Sequence, residues 1–271
     1  MSEAEDIKKQ IATCAQLENI SMALQQSAAM YLHKTKSTIL KSRPFLHEAW
    51  KTYSLVEQLK LPKQLKKKNA VVLAIAPNQG MYGKLVWDEM EQVRKAVFSA
   101  NADLMIVGTK AFPLAHDQRI RGSVSKFNLK DNITYDNVRP ISEKLAGYNN
   151  IVIVYPEYHD AFSQKVVTTS LKDSDKESKE NLLDLKRYSF DPNLVEVKQY
   201  FDQAVLNMMI FRYLLEAMLS YKAAEIVSMK RAHDSAHNQL IENKFKYFRC
   251  VRQIVDVRLR EVFSSIILWG E

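Results

Sequence analysis

Apolar residues recur at spacings of three and four at both ends of this chain, and form short unbroken runs in its middle. In the first stretch they fall at Ile7, Ile11, Cys14, Leu17, Ile20, Leu24, Ala28 and Tyr31, the period of one helical face. The pattern predicts a helix from about Glu3 to Leu59. Pro44 should kink it rather than end it, because apolar positions resume at Leu46, Ala49 and Tyr53. In the last stretch Leu194, Val197, Phe201, Ala204, Met208, Phe211, Leu215 and Met218 form a heptad series without a slip. Lys222 and Glu225 break the register, which continues through Ile226, Met229, Ala232, Ala236 and Leu240. A final series runs Phe248, Val251, Val255, Leu259, Val262, Ile266 and Trp269. Small residues at Ser27, Ala28 and Ala29, and at Ala232, Ser235 and Ala236, would let two backbones approach closely. An antiparallel coiled coil of the two ends follows.

Helix breakers agree with this division. Every proline, and every glycine but Gly270, lies between residues 44 and 192. The breaker-free stretch from Asn193 to Trp269 would make a rod ~115 Å long, too long for one compact core to bury. Roughly 55 residues in the first helix against roughly 75 in the last leave ~20 residues, or ~30 Å, without a partner. The apolar end from Val262 to Trp269 therefore needs cover from another protein.

The middle has a different grammar. The run from Ala70 to Ala76 reads as a buried strand, followed by a turn at Pro77 to Gly80 and a helix to about Ala100. Leu104 to Gly108 and Ile151 to Tyr155 read as further buried strands, with a helix from about Asp136 to Tyr148 between them. Lys165 to Leu171 and Lys186 to Phe190 read as edge strands, joined by a charged loop over Lys172 to Asn181. The expected fold is α/β: a long antiparallel coiled coil of the N- and C-terminal helices plus a small Rossmann-like parallel-sheet domain. Its parts are 1–60, the N-terminal coiled-coil helix; 70–190, the α/β domain; and 193–271, the C-terminal coiled-coil helix.

Composition adds limits. The 271 residues include 46% apolar and 26% charged, with no run of eighteen apolar residues to span a membrane. The acidic start at Glu3, Glu5 and Asp6 resembles neither a signal peptide nor a transit peptide, which makes a cytosolic bacterial protein the simplest reading. Cys14 and Cys250 are too few for a disulfide framework or a zinc site. The net charge of +8 includes Lys60, Lys63, Lys66, Lys67 and Lys68, a cluster without aromatics that spans Pro62 and reads as a solvated junction.

Catalytic patterns are missing. Gly80-Met-Tyr-Gly83-Lys84 follows a strand, but its spacing is wrong for a phosphate loop, and Leu85 stands where a magnesium-binding hydroxyl belongs. His233 and His237 share a helix face without a visible third metal ligand. The expectation is a chain that is no enzyme on its own, with no catalytic residue, cofactor or metal.

Taken in order, these segments resemble the gamma subunit of the F-type ATP synthase, its rotating central stalk. The resemblance rests on Ile7-Lys8, Ile11, Ile20, Ala23 and Ala28-Ala29; on Ser42-Arg43-Pro44-Phe45; on the turn to Gly80 and Gly83; and on Met105 to Lys110. It continues through Asp191-Pro192; through Ser220, Ala223-Ala224, Met229, Ala232 and Asp234; and through Tyr247, Arg249, Leu259, Glu261 and Ser264. Departures at Asn19, Met22, Leu24, Tyr31 and Glu225, and at Asp256 to Arg258, mark a divergent member. The resemblance implies a rotor that couples ion-driven ring rotation to ATP synthesis or hydrolysis, with the chemistry held by other subunits. Implied partners are an alpha–beta ring around the coiled coil, with an epsilon subunit and a membrane c-ring at the foot. No nucleic acid and no direct membrane insertion are implied, and the place is the cytoplasmic face of the cell membrane, peripherally. Contacts with the ring would fall on Leu24, Glu225, Arg249, Glu261, Val262, Ile266 and Trp269. Two rivals stand beside it: a coiled-coil tether that self-associates, and a basic nucleic-acid-binding module using the lysine cluster.

Overall fold

A computed structural model describes residues 3–57, 68–117, 124–128, 133–160, 162–171 and 194–269. Helix α1 runs Glu3–Glu57, unbroken at Pro44, and Leu59 falls outside the described residues. Then come β1 (Lys68–Ile75), α2 (Leu85–Ala100), β2 (Asp103–Val107), α3 (Ala111–Asp117), β3 (Val124–Phe127), α4 (Tyr135–Leu145), β4 (Tyr148–Tyr158) and β5 (Gln164–Ser170). Helix α5 runs Leu194–Trp269, 76 residues. The fold is the expected α/β type, and the chain divides into two compact units, 28–225 and the paired ends 1–27 with 226–271.

In the first unit the sheet order is β3-β2-β1-β4-β5, parallel except for the β4–β5 pair. Val71 to Ile75 of central β1 are all buried, as is Ala76 just after it, the unbroken apolar run of a parallel strand covered on both faces. At the end of β2 the chain turns at Gly108, where φ is +98° and an added Cβ would sit 2.0 Å from the Ala76 carbonyl oxygen. Only glycine fits there. Helix α2 ends at Asn101, left-handed at φ 43°, whose N–H bonds the Val97 carbonyl.

Two elements escaped the apolar-run criterion. Strand β3, Val-Ser-Lys-Phe, is a four-residue edge with polar positions, and α3 is seven residues long with Pro113 inside. β4 extends beyond Ile151 to Tyr155 at both ends, because its pairing with β1 begins at Tyr148 opposite Lys68 and its pairing with β5 continues to Tyr158 opposite Gln164. Helix α4 stops at Leu145 rather than Tyr148, which already begins β4. The expected strand at 186–190, the loop at 172–181 and most of the lysine cluster lie outside the described residues.

Within this unit α5 is buried more widely than its heptad series implies. Phe201, Ala204, Met208 and Phe211 are only half-buried. Val205, Leu206, Met209 and Ile210, between those positions, and Tyr213, Leu214 and Ala217 beyond them join the hydrophobic cluster that includes β1, α2 and β4. The helix is apolar nearly all round here because it serves the sheet domain as well as any helical partner.

Candidate functional site

The paired ends are antiparallel. Cys14 Sγ lies 4.0 Å from Gln239 Oε1 and 3.7 Å from Asn243 Nδ2, while Glu18, one turn further along α1, lies 2.9 Å from His237 Nδ1. Several buried side chains of this unit are small or polar, namely Cys14, Ser21, Ala236 and Cys250, and the large apolar Met229 and Leu240 are buried with them. Some bulky apolar residues face outward instead, while Ile7, Ile11 and Leu24 are half-buried as the series predicts. Leu17 and Ile20, expected in the seam, are 50% and 56% exposed. Two series with the same spacing are interleaved on α1, and the one through Glu18 and Ser21 faces α5.

The same inversion runs along α5. Ile241, Phe245, Phe248, Val255, Leu259, Val262, Ile266 and Trp269 are all exposed, at steps of three and four interrupted only by Arg252. Every residue from Val255 through Ile267 is exposed, and Trp269 reaches 90%. The unaccompanied end thus spans about 15 residues, ~22 Å, shorter than the ~30 Å anticipated, because the α1 register carries Glu3 to the neighbourhood of Val251.

The expected contact residues scatter over this frame. Val262, Ile266 and Trp269 share the exposed stripe, and Phe263 and Ile267, which the seam reading overlooked, widen it. Arg249 and Glu261 are exposed and Leu24 is half-buried. Glu225 differs: it is 4% exposed, and its carboxylate accepts a 2.7 Å hydrogen bond from Lys222, whose Nζ also sits 5.5 Å above the Tyr31 ring. Its charge is engaged within the chain.

The carboxyl end of a parallel sheet is where such folds bind ligands. Here that region is filled with side chains. Tyr221 packs 5.1 Å from the Tyr82 ring, and its hydroxyl bonds both the Ile75 carbonyl, at 3.3 Å, and Glu89 Oε2. Glu89 is fully buried, and its Oε1 has no hydrogen-bond partner. Burial pushes its carboxyl well above the ordinary value, against the smaller opposing pull of the Tyr221 hydrogen bond. Burial likewise raises the Tyr221 hydroxyl, with the Glu89 charge next. Asn78 Oδ1 accepts from the Thr109 N–H at 3.2 Å, lacing the two turns that would otherwise frame a crevice. Lys84 is outside, paired with Asp88 at 3.5 Å. Among the described residues no group of three or more His, Cys, Asp and Glu is arranged to hold a metal, and no helix is long and apolar enough to cross a membrane.

Comparison with known proteins places the whole length. The family model described as ATP synthase matches residues 3–261. The ATP synthase gamma chain of Haemophilus influenzae (strain 86-028NP) is 23% identical over 297 residues, covering 98% of this chain and 99% of that one. The gamma chain of Desulfitobacterium hafniense is 19% identical over 281 residues, covering 98% of each. Among solved structures, a chain of the Euglena gracilis mitochondrial ATP synthase OSCP/F1/c-ring assembly superposes with a TM-score of 0.70 at 16% identity, covering 97% of this chain and 94% of that chain. A chain of the Tetrahymena thermophila mitochondrial central stalk/c-ring structure gives 0.61 at 20% identity, covering 79% and 99%.

Proposed function

The chain belongs to the gamma-chain family of ATP synthase, and we propose on that premise that it is the central-stalk rotor of a membrane-associated ATP synthase or ATPase. The carrying observation is the exposed apolar stripe of α5, which continues from beside α1 onto the unaccompanied end. In water that surface is a liability; inside a close-fitting sleeve it is a bearing surface. The small seam residues serve the same end, since close backbone approach makes a thin, stiff axle.

In this reading the helical segments 1–60 and 193–271 turn within a ring of alpha and beta subunits. The segment 70–190 joins an epsilon subunit and a c-ring at the foot, on the cytoplasmic face of the cell membrane. Catalysis stays in the ring, and this subunit is non-catalytic, needs no cofactor and inserts nothing into lipid. Val262, Ile266 and Trp269 form the bearing, with Arg249 and Glu261 as its polar contacts. Leu24 meets a lever of the ring. Glu225 contributes from inside, holding Lys222 toward Tyr31 where the ring presses on the axle.

Removal of residues 262–271 tests the reading. The shortened chain should fold with its remaining helices intact and should associate more weakly with the alpha–beta ring in native mass spectra. Equal assembly by the shortened and full chains would defeat the bearing. Concentration-dependent self-association in place of ring assembly would point to a tether.

A further inference from the structure

Between Asn207 and Tyr221 one face of α5 is buried against the sheet domain, and the ends of that face differ in chemistry from its middle. Asn207, Ile210, Leu214, Ala217 and Tyr221 follow at steps of three and four, each 4% exposed or less. Asn207 and Tyr221 are two heptads apart, which sets them about 21 Å from one another on the same face. At the first end Asn207 Oδ1 accepts from Ser142 Oγ of α4 at 3.2 Å, and Gln203 Nε2, one turn earlier, donates to the same hydroxyl at 3.1 Å. At the second end the Tyr221 hydroxyl meets the Ile75 carbonyl oxygen of β1 and Glu89 of α2. Ser142 and Glu89 are themselves fully buried. Two further bonds across this contact are longer: Ser220 to the Glu157 carbonyl and Tyr135 to the Ala204 carbonyl, at 3.5 Å each.

Apolar contact is non-directional. Ile210, Leu214 and Ala217 hold α5 against the sheet domain but leave its angle about its own axis, and its height, open to small slips. Hydrogen bonds between buried groups are directional, and a slip would leave them unmade with no water to take their place. A polar residue at a buried heptad position fixes register in helical assemblies for this reason. Here there are two such positions, one at either end of a single seam, with partners on α4, β1 and α2. Together they fix the angle as well as the height.

We propose that Asn207 and Tyr221 are positioning residues that key the sheet domain to α5, so that a turning force applied to one is carried by the other without slip. The inference rests on the rotor reading, in which the sheet domain meets the membrane ring and α5 enters the alpha–beta ring.

Coupling in the whole ATP synthase, reconstituted in ion-tight vesicles, tests the key as ions transported per ATP hydrolysed. Glu89→Met with Tyr221→Phe removes one bonded pair while keeping its bulk, a replacement that leaves stability near that of the parent. Ser142→Ala with Asn207→Leu does the same at the other end, should the first fold poorly. Each pair should lower the ratio by at least about two-fold, the smallest shift that one lost hydrogen bond makes in an equilibrium, with the urea midpoint of the chain close to the parent's. Glu89→Gln, which retains a donor to Tyr221, should keep the parent ratio. A coupled parent with an unchanged ratio in both pairs, or hydrolysis and transport falling together in proportion, overturns the key and leaves the rotor reading intact. A parent complex that hydrolyses ATP without transporting ions overturns the rotor reading, and the key with it.

Discussion

The buried pair of Glu89 and Tyr221 yields the sharpest prediction about stability. Tyr221 has a single hydroxyl proton but contacts both the Ile75 carbonyl and a Glu89 oxygen. A neutral carboxylic acid resolves the shortage: Glu89 donates to the Tyr221 oxygen, and Tyr221 donates to Ile75. Burial favours the same neutral form. The native state therefore keeps a proton that the unfolded chain loses above the ordinary carboxyl value of 4.5. The folded value is raised, so this contribution to stability is whole below pH 4.5 and declines as pH rises above it. While native Glu89 remains protonated and unfolded Glu89 does not, the loss is about 1.4 kcal/mol per pH unit. Glu89→Gln keeps an amide donor to Tyr221 without a titrating group, so its stability should lack that slope. Tyr221→Phe removes the bridge and strands a second carboxyl oxygen beside one already unpartnered, at a cost of about 1–3 kcal/mol. Urea unfolding followed by circular dichroism at pH 5, 6, 7 and 8 provides the assay, read as the difference between parent and Glu89→Gln so that histidines and surface carboxylates cancel. Parallel pH profiles for the two chains would refute the neutral acid.

Other expectations follow from the packing. Gly108→Ala should destabilise the sheet domain by at least the ~1–3 kcal/mol typical of a strained backbone, because its Cβ meets the Ala76 carbonyl at 2.0 Å; the urea midpoint measures this. Leu17→Gln together with Ile20→Gln should leave the melting temperature of the isolated chain nearly unchanged, since both side chains already face water. A large drop would put them back in the seam. Trp269→Ala should likewise spare the isolated chain while weakening its capture by the alpha–beta ring, which surface-immobilised ring measures.

What the sequence made legible follows the strength of its apolar signal. β1, β2 and the middle of β4 are runs that only a covered parallel sheet accommodates, and the breaker-free ends could only be long helices. β3 was hidden because Ser125 and Lys126 dilute an edge that needs few apolar contacts. The coiled-coil phase was ambiguous for a different reason. Leu17 and Ile20 match the heptad spacing as well as Glu18 and Ser21 do, and only the tertiary pairing with α5 decides between them. Bulk was the misleading cue at Leu17 and Ile20, which lie outside while Ser21 is buried. Glu89 carries no signal at all, because a glutamate in an amphipathic helix reads as solvent-facing until Tyr221, 132 residues away, is seen beside it. The exposed end was legible from length and apolar content alone, though not its girth, to which Phe263 and Ile267 contribute.

Rotation itself is the most direct test of the central claim. Cys14 and Cys250 are buried, so a Phe98→Cys change, at a site 89% exposed on α2, offers one accessible thiol for a bead. Assembled with the alpha and beta subunits of the same cell and supplied with ATP, the bead is predicted to turn persistently in one direction. A complex that hydrolyses ATP while the bead stays fixed relative to the ring would contradict the account.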